Sequence, residues 1–301
     1  MKLKTWISAA RLRTLPLSIA GILVGTALAI RRDAFDWQIF IFAILTTLGL
    51  QVLSNFANDY GDGVKGTDNE KRTGPMRALQ SGIISHREMK KAVVWTSLLT
   101  LFFAVLLIYF AFGAENFMHS FLFFAIGIFA IAAAIKYTVG NSAYGYRGLG
   151  DVFVFIFFGL VSVVGGYFLY VHQLNFWIFL PATAIGLLST AVLNLNNMRD
   201  QIGDELSGKH TLVVKLGSKR AKNYHYFLIF GAFSAILLFV LIAEKSWMGT
   251  LYFVAFVPLF FHVRTVYKNR QPGTLDPELK KVALSTFLLS LLFLVKALFF
   301  K

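Results

Sequence analysis

Charged positions divide the chain into long uncharged stretches at residues 14–30, 37–58, 92–114, 116–135, 152–198, 223–243, 246–263 and 282–295. A helix needs about 20 mostly apolar residues to cross the hydrocarbon core of a bilayer. Residues 152–198 are too many for one crossing, and the polar turn His172-Gln173-Leu174-Asn175 divides them in two. The last stretch is short, but Lys296 can snorkel and let its helix run on to Phe300. The pattern therefore predicts an all-α fold of nine transmembrane helices, the form in which a backbone satisfies its own hydrogen bonds in lipid. Residues 1–30 read as a span, not a cleaved leader, because the apolar stretch exceeds a secretory core and lacks a small-residue cleavage site.

Composition agrees. Hydrophobic residues make up 57% of the 301 and charged residues only 15%, against roughly 25% in a soluble domain; mean hydropathy is +0.66. A water-soluble globule is excluded. With no cysteine, so are disulfides, thiolate metal sites and a cysteine nucleophile. The net charge of +14 raises the question of nucleic acid, which the placement of the charges answers. Of 29 Lys and Arg, 24 fall in the N-terminal tail and the loops after helices two, four, six and eight. Basic residues are retained on the cytoplasmic side, so the N-terminus is expected in the cytoplasm and the C-terminus outside. The basic excess expresses topology and attraction to the lipid bilayer, with no nucleic-acid partner and no protein partner expected. Trp6, Trp37, Trp177 and Trp247 fall near the expected interfaces, as anchoring residues do.

Two loops on the basic side are long, about 58–91 and 197–222. The first reads NDYGDGVKGTDNEKRTGPMR from Asn58, with Asp59, Asp62, Lys65, Asp68, Arg72 and Arg77. The second reads NNMRDQIGDELSGKHT from Asn196, with Asn197, Arg199, Asp200, Asp204, Lys209 and His210. Asn55 and Asp59 stand four apart, as do Asn196 and Asp200, and the two pairs are displaced by 141 residues. This spacing suggests one domain over 1–301 made of two four-helix halves, about 14–136 and 149–267, with a ninth helix at about 279–300.

If helix two continues through residue 62, Asn58 and Asp62 share a face, with Asp59 beside them; Asp200 and Asp204 form a second pair of this kind. Like charges so placed repel unless a cation lies between them. Hard oxygen ligands suit Mg²⁺, which bridges a few carboxylates to substrate phosphates. Asn58, Asp59, Asp62, Asn196, Asp200 and Asp204 are the expected ligands, with Asp68, Asn55 and Asn197 as further candidates. Lys65, Arg72, Arg77, Arg199 and Lys209 are expected to bind the diphosphate of a substrate, arginine being suited to bidentate phosphate contacts, and His210 is a candidate phosphate contact. Gly61, Gly63 and Gly66 are read as turn glycines. The remaining histidines, His86, His119, His172, His225 and His262, show no metal-ligand spacing.

At these residues the chain resembles the UbiA superfamily of intramembrane aromatic prenyltransferases, with an Asn-Asp-x-x-Asp motif after helix two and an Asp-x-x-x-Asp motif after helix six. The segments RLRTLPLSIAGILVG at 11–25, SNFANDYGDGVKGTDNEKRTGP at 54–75, YRGLGD at 146–151 and NNMRDQIGDELSGKHTLVVKLG at 196–217 point to its 1,4-dihydroxy-2-naphthoate polyprenyltransferase branch. The resemblance implies Mg²⁺-dependent transfer of a polyprenyl group from its diphosphate to 1,4-dihydroxy-2-naphthoate with loss of CO₂, giving demethylmenaquinone at the cytoplasmic side of a bacterial inner membrane. Asp59, Asp62, Asp200 and Asp204 are the implied catalytic residues. The chain departs from the superfamily at Gly66, where a further acid is common, and at Asn141, where a lysine follows Tyr137 by four positions. Arg147 is the candidate to replace that lysine. Arg147, Asp151, Tyr144 and Arg13 are candidates to hold the aromatic acid, and Asp151 could equally cap a helix.

Other readings carry less. Prenylation of 4-hydroxybenzoate or another aromatic acceptor would use the same motifs. A secondary transporter would place ionisable residues at mid-membrane, whereas here the helix middles are nearly uncharged.

Overall fold

The computed structural model describes residues 2–67, 76–244 and 246–300. Nine helical spans are long and apolar enough to cross a membrane among these residues: α1 (Lys2–Ile30), α2 (Trp37–Val64), α3 (His86–Phe112), α4 (Phe117–Lys136), α5 (Gly150–Val171), α6 (Phe176–Leu206), α7 (Leu212–Ala243), α8 (Trp247–Lys268) and α9 (Pro272–Phe299). The expected number and order hold, and the boundaries differ in one consistent way. Charge marks where a helix leaves lipid, not where it ends. Thus α2 and α6 continue past the last apolar residue and carry both Asp pairs on helix, while α3 and α7 begin inside what the sequence presents as loops. Asp68 and Arg72 lie outside the described residues.

Chain entry also differs. Residues Lys2–Ala10 form a short amphipathic helix, and α1 breaks at Arg11, whose φ of 50° is left-handed. A non-glycine residue in that region costs about 1 kcal/mol or more. The cost is offset because the break aims the Arg11 guanidinium at Asp59, 2.8 Å away. Asn55 supports the same corner by donating from Nδ2 to the Ala10 carbonyl at 2.9 Å. That bond closes the end of the entry helix, which otherwise leaves its last carbonyls unpaired.

α1 and α6 run through the middle of the bundle: 72% and 56% of their apolar windows are buried, against 11% for α4, which faces outward. Without a hydrophobic drive between helices in lipid, close approach comes from small residues. A methyl group at Gly25 would lie 2.7 Å from the Val163 carbonyl oxygen and 2.9 Å from the Tyr167 nitrogen. The facing wall of α5 is π-helical over Phe155–Gly165. Of the expected turn glycines only Gly66 has a positive φ, at 69°. Gly61 is helical and serves a close approach instead, since a Cβ there would meet Thr138 Oγ1 at 2.6 Å.

Two histidines that look scattered in sequence touch in space. His225 of α7 and His262 of α8 share a 2.7 Å hydrogen bond between their Nε2 atoms, and His262 Nδ1 pairs with Glu278 of α9. All three are buried, so the chain of bonds ties three helices together. Among the described residues no three His, Asp or Glu side chains are grouped to hold a metal by themselves.

Gly25→Val should lower stability by about 1–3 kcal/mol, the usual cost of overfilling a tight interface, read as a lower melting temperature in detergent. Gly127→Ala is the contrast: its added methyl would meet only Ala104 Cβ, at an ordinary 3.9 Å, so no loss is expected.

Candidate active site

The ends of α2 and α6 that carry the aspartates lie at the same end of the bundle as the start of α9 and the 137–149 connection. Asp59 is 1% exposed, the surroundings in which a lone carboxylate is most costly. Arg11 and Arg77 each donate to its Oδ1 at 2.8 Å, and the Ala78 amide donates to Oδ2 at 3.4 Å. Arg77, expected at the diphosphate, is thus engaged with a carboxylate here. Asn58 accepts from Thr138 Oγ1 at 3.3 Å.

Asp62, three residues on, is also buried but has no arginine on it among the described residues. Its Oδ1 accepts from the Tyr146 hydroxyl at 2.8 Å, and Thr67 Oγ1 lies 2.6 Å from that same hydroxyl. The Lys65 ammonium sits 3.8 Å from the centre of the Tyr146 ring, with Lys209 on the same ring at 5.6 Å. Tyr146 is therefore a hub, orienting a carboxylate with its hydroxyl and seating two lysines on its ring. Burial lowers the pKa of Lys65 despite Asp62, and nearby Lys209 lowers it further. An anion placed beside Lys65 would favour its charged form.

The second motif is organised around Arg199, which is 5% exposed. It grips Asp200 with two bonds, Nε to Oδ1 at 2.8 Å and Nη2 to Oδ2 at 2.7 Å, and it reaches Asn196 Oδ1 at 2.8 Å. Its remaining nitrogen, Nη1, pairs with Asp276 at the start of α9. Arg13, on the rim, lies 3.9 Å from the other oxygen of Asp276. Asp204, one turn beyond Asp200, is 3.6 Å from Lys209, and its buried Oδ2 has no hydrogen-bond partner among the described residues. Asn197 is buried on the same helix.

Lys209 is where the two motifs meet. Burial works against its charge, but the carboxylates of Asp62, Asp204 and Asp200 outweigh that and hold its pKa above the usual lysine range. Tyr137 lies between the same groups. Burial first, then the negative charges of Asp151, Asp62 and Asp204, push its hydroxyl pKa up. A glycine at 145 lets that ring sit close, since a Cβ there would be 3.1 Å from it.

Of the residues expected at the aromatic acid, Tyr144 spends its hydroxyl on the Ala133 carbonyl at 3.0 Å and stacks on Phe153 at 3.9 Å. Arg147 is exposed and makes no ion pair with a described residue; its backbone carbonyl takes Lys215 at 2.6 Å. The His210 side chain is also exposed, and its amide donates to the Tyr146 carbonyl at 3.1 Å. Asp151 does not act as a cap. It is 4% exposed inside the first turn of α5, lies near Tyr224, and keeps an Oδ1 without a partner among the described residues. Asn194 of α6, wholly buried, leaves both side-chain polar atoms unpartnered there as well. Thr190, one turn earlier on α6, contacts the Asp151 carbonyl at 3.5 Å. A polar face of α6 thus descends from the Asp204 end toward the start of α5. Buried polar atoms left open in this way are rare enough to mark a place for something polar.

The donor set at the mouth is entirely oxygen: carboxylates, amides and hydroxyls. That suits Mg²⁺, which needs only one or two protein carboxylates when substrate phosphates complete its shell. Asp62 and Asp204, each buried and with no arginine paired to them among the described residues, fit the group. Sequence reading passed over Arg11, Tyr146, Asp276, Tyr224 and Asn194. Tyr146 and Arg11 had a signal, their positions in YRGLGD and RLRTLPLSIAGILVG; the others are set by tertiary contact.

The comparisons with known proteins agree with this geometry. The model of the UbiA prenyltransferase family matches residues 18–295. The chain is 43% identical over 294 residues to 1,4-dihydroxy-2-naphthoate octaprenyltransferase of Haemophilus influenzae, covering 97% of this chain and 95% of that one. It is 42% identical over 292 residues to the protein of the same name from Escherichia coli K12, covering 97% and 94%. In fold it is similar to an apo UbiA homologue of Aeropyrum pernix K1, with a TM-score of 0.72 at 16% identity, over 95% of this chain and 98% of that one. A UbiA homologue of Archaeoglobus fulgidus bound to GPP and Mg²⁺ gives a TM-score of 0.66 at 18% identity, over 96% and 98%. With a buried carboxylate motif at the end of α2, a second at the end of α6 and this match over nearly its whole length, the chain belongs to the UbiA prenyltransferase family.

Proposed function

We propose that the protein transfers a polyprenyl group from polyprenyl diphosphate to 1,4-dihydroxy-2-naphthoate with loss of CO₂, at the cytoplasmic side of a bacterial inner membrane. The observation that carries the reading is the link between the two motifs: Lys209 lies 3.6 Å from Asp204 and 5.6 Å from the ring of Tyr146, whose hydroxyl donates to Asp62 at 2.8 Å. The acceptor is supported by the names of the relatives at 42–43% identity. Nothing in the described site favours another acceptor.

Asp62 and Asp204, with Asp59, Asp200, Asn58, Asn196 and Asn197 around them, would hold Mg²⁺. When bound, the ion neutralises charge on the diphosphate. The remaining work falls to the chain's own residues. Lys65 and Lys209 present ammonium groups to the diphosphate. Tyr146 holds the Asp62 carboxylate in place, Arg199 holds Asp200, and Arg11 and Arg77 hold Asp59, so the charges that meet the developing leaving group are fixed beforehand. The allylic C–O bond breaks with its electron pair going to the diphosphate oxygen. The electron-rich ring attacks the allylic carbon in a bundle interior that excludes water, and departure of CO₂ returns an electron pair to the ring. Asp151 and Asn194, with buried polar atoms unpartnered among the described residues, offer polar contacts to the acceptor's hydroxyls.

Purified protein in nanodiscs should form product from farnesyl diphosphate and 1,4-dihydroxy-2-naphthoate only with Mg²⁺, lose activity in EDTA and regain it on Mg²⁺ addition. It should make none from 4-hydroxybenzoate. Product from 4-hydroxybenzoate alone would overturn the acceptor.

Asp62→Asn should abolish turnover with an unchanged melting temperature. Tyr146→Phe removes one hydrogen bond to a charged group, worth about 1.5–3 kcal/mol, so kcat should fall roughly 10–100-fold while diphosphate KM changes little. Unaltered kcat would remove Tyr146 from the site.

Arg199→Ala should lower stability by about 1–3 kcal/mol, because it removes the charged hydrogen bonds that buried Arg199 makes to half-buried Asp200; an unshifted melt in detergent would contradict this. Asp151→Asn should raise KM for the naphthoate at least several-fold and leave KM for the diphosphate unchanged. The reverse split would place Asp151 on the diphosphate side.

A further inference from the structure

At the opposite end of the bundle from the aspartates lies a cavity of about 250 Å³ among α1, α5, α6 and α7. Its walls include Leu28, Ile178 and Phe239, and its rim carries Arg31, Arg32, Asn175 and Trp177. Three features of this rim belong together.

The first is charge. Only five of the 29 Lys and Arg fall at this end by sequence position, yet three of them, Arg31, Arg32 and Lys296, stand at or beside the cavity. Asp33 and Asp36 follow Arg32 in the connection to α2, and Glu244 answers the other two. Glu244, its side chain fully buried, is paired with both Arg31 and Lys296. Arg32 is exposed and makes no ion pair with a described residue. Among the described residues Arg32 is therefore the rim cation without a carboxylate paired to it.

The second is hydrogen bonding. Asn175 uses its Oδ1 to accept from the Trp177 amide at 3.1 Å, which leaves its Nδ2 as a donor at the rim beside the arginines. The donors all suit an anion.

The third is depth. Trp37, Trp177 and Trp247 begin α2, α6 and α8 at this same end and are 67%, 40% and 75% exposed. Exposed tryptophans at one level mark the headgroup region of a bilayer. The cavity thus opens where lipid phosphates lie. A prenyl tail is neutral and would have no use for two arginines. The volume is below the roughly 300–1,000 Å³ of sites that enclose a whole drug-sized ligand, which suits a headgroup better than a ring with its chain.

We propose that this cavity binds the phosphate-bearing headgroup of an anionic glycerophospholipid, with Arg31 and Arg32 on the phosphate, Asn175 donating to it, and Leu28, Ile178 and Phe239 against the glycerol and first methylenes. The site is separate from the aspartate motifs and is independent of which acceptor they serve.

The test is native mass spectrometry of the full-length protein, delipidated in an uncharged detergent and offered phosphatidylglycerol or phosphatidylcholine of matched chains. Phosphatidylglycerol should be retained about fivefold more strongly, the factor expected for a cation near an anionic surface. Arg32→Gln should remove that preference while prenyl transfer and melting temperature stay at wild-type values. Equal retention of the two lipids, or an unchanged preference in Arg32→Gln, would overturn the proposal. A parallel melt with inorganic phosphate separates the sources: stabilisation by phosphate with no retention of phosphatidylglycerol would reject a lipid as the ligand.

Discussion

Carboxylates crowded at the mouth of a membrane bundle repel one another, and the site depends on how that repulsion is balanced. Each buried aspartate is met by a group from a different part of the chain. Asp59 takes Arg11 from α1 and Arg77 from beyond α2; Asp200 takes Arg199 on its own helix, which in turn reaches Asp276 on α9. Asp204 has Lys209 across the following turn, and Asp62 takes the hydroxyl of Tyr146, with Lys65 and Lys209 nearby. Two of the four are thus neutralised by guanidinium groups with rigid forks. The other two keep negative charge available near lysines that can shift. The division matches what a site for a charged, exchangeable ligand requires: fixed walls and an uncompensated centre.

The fold supplies the precision for this. Extending α2 and α6 beyond the apolar limit places the aspartates on helices, where their spacing is set by the helix repeat and not by a loop. Sites on such elements are held more tightly than sites on loops. The left-handed break at Arg11 has the same effect by another route, since a local backbone cost is spent on aiming one guanidinium.

Much of this was legible in the sequence, for a physical reason. Hydropathy over twenty residues is a strong signal because lipid allows few alternatives, so the nine spans could be counted. The aspartate motifs were legible because a four-residue repeat of acids is costly without a purpose. What could not be read were contacts between distant positions. Arg11 and Asp59 are 48 apart in sequence, Tyr146 and Asp62 84 apart, and Arg199 and Asp276 77 apart. His225 and His262, 37 apart, look unrelated until α7 and α8 are packed. Arg147 shows the converse: its place beside YRGLGD suggested a role, but the chain turns Tyr146 inward there and leaves the arginine exposed. Helix ends were misplaced because charge reports the water boundary, and these helices stand above it.

The glycine contact between α1 and α5 has a consequence for traffic through the protein. Where a single methyl group at Gly25 would already collide with the facing backbone, no hydrocarbon chain can slip between the two helices. The same closeness recurs one turn earlier at Gly21, where a Cβ would lie 2.4 Å from Ser162 Oγ and 2.7 Å from the Phe158 carbonyl oxygen. Any long isoprenoid that enters or leaves the bundle sideways must use a different wall, so the direction of exchange with the surrounding lipid is set by the absence of one carbon atom.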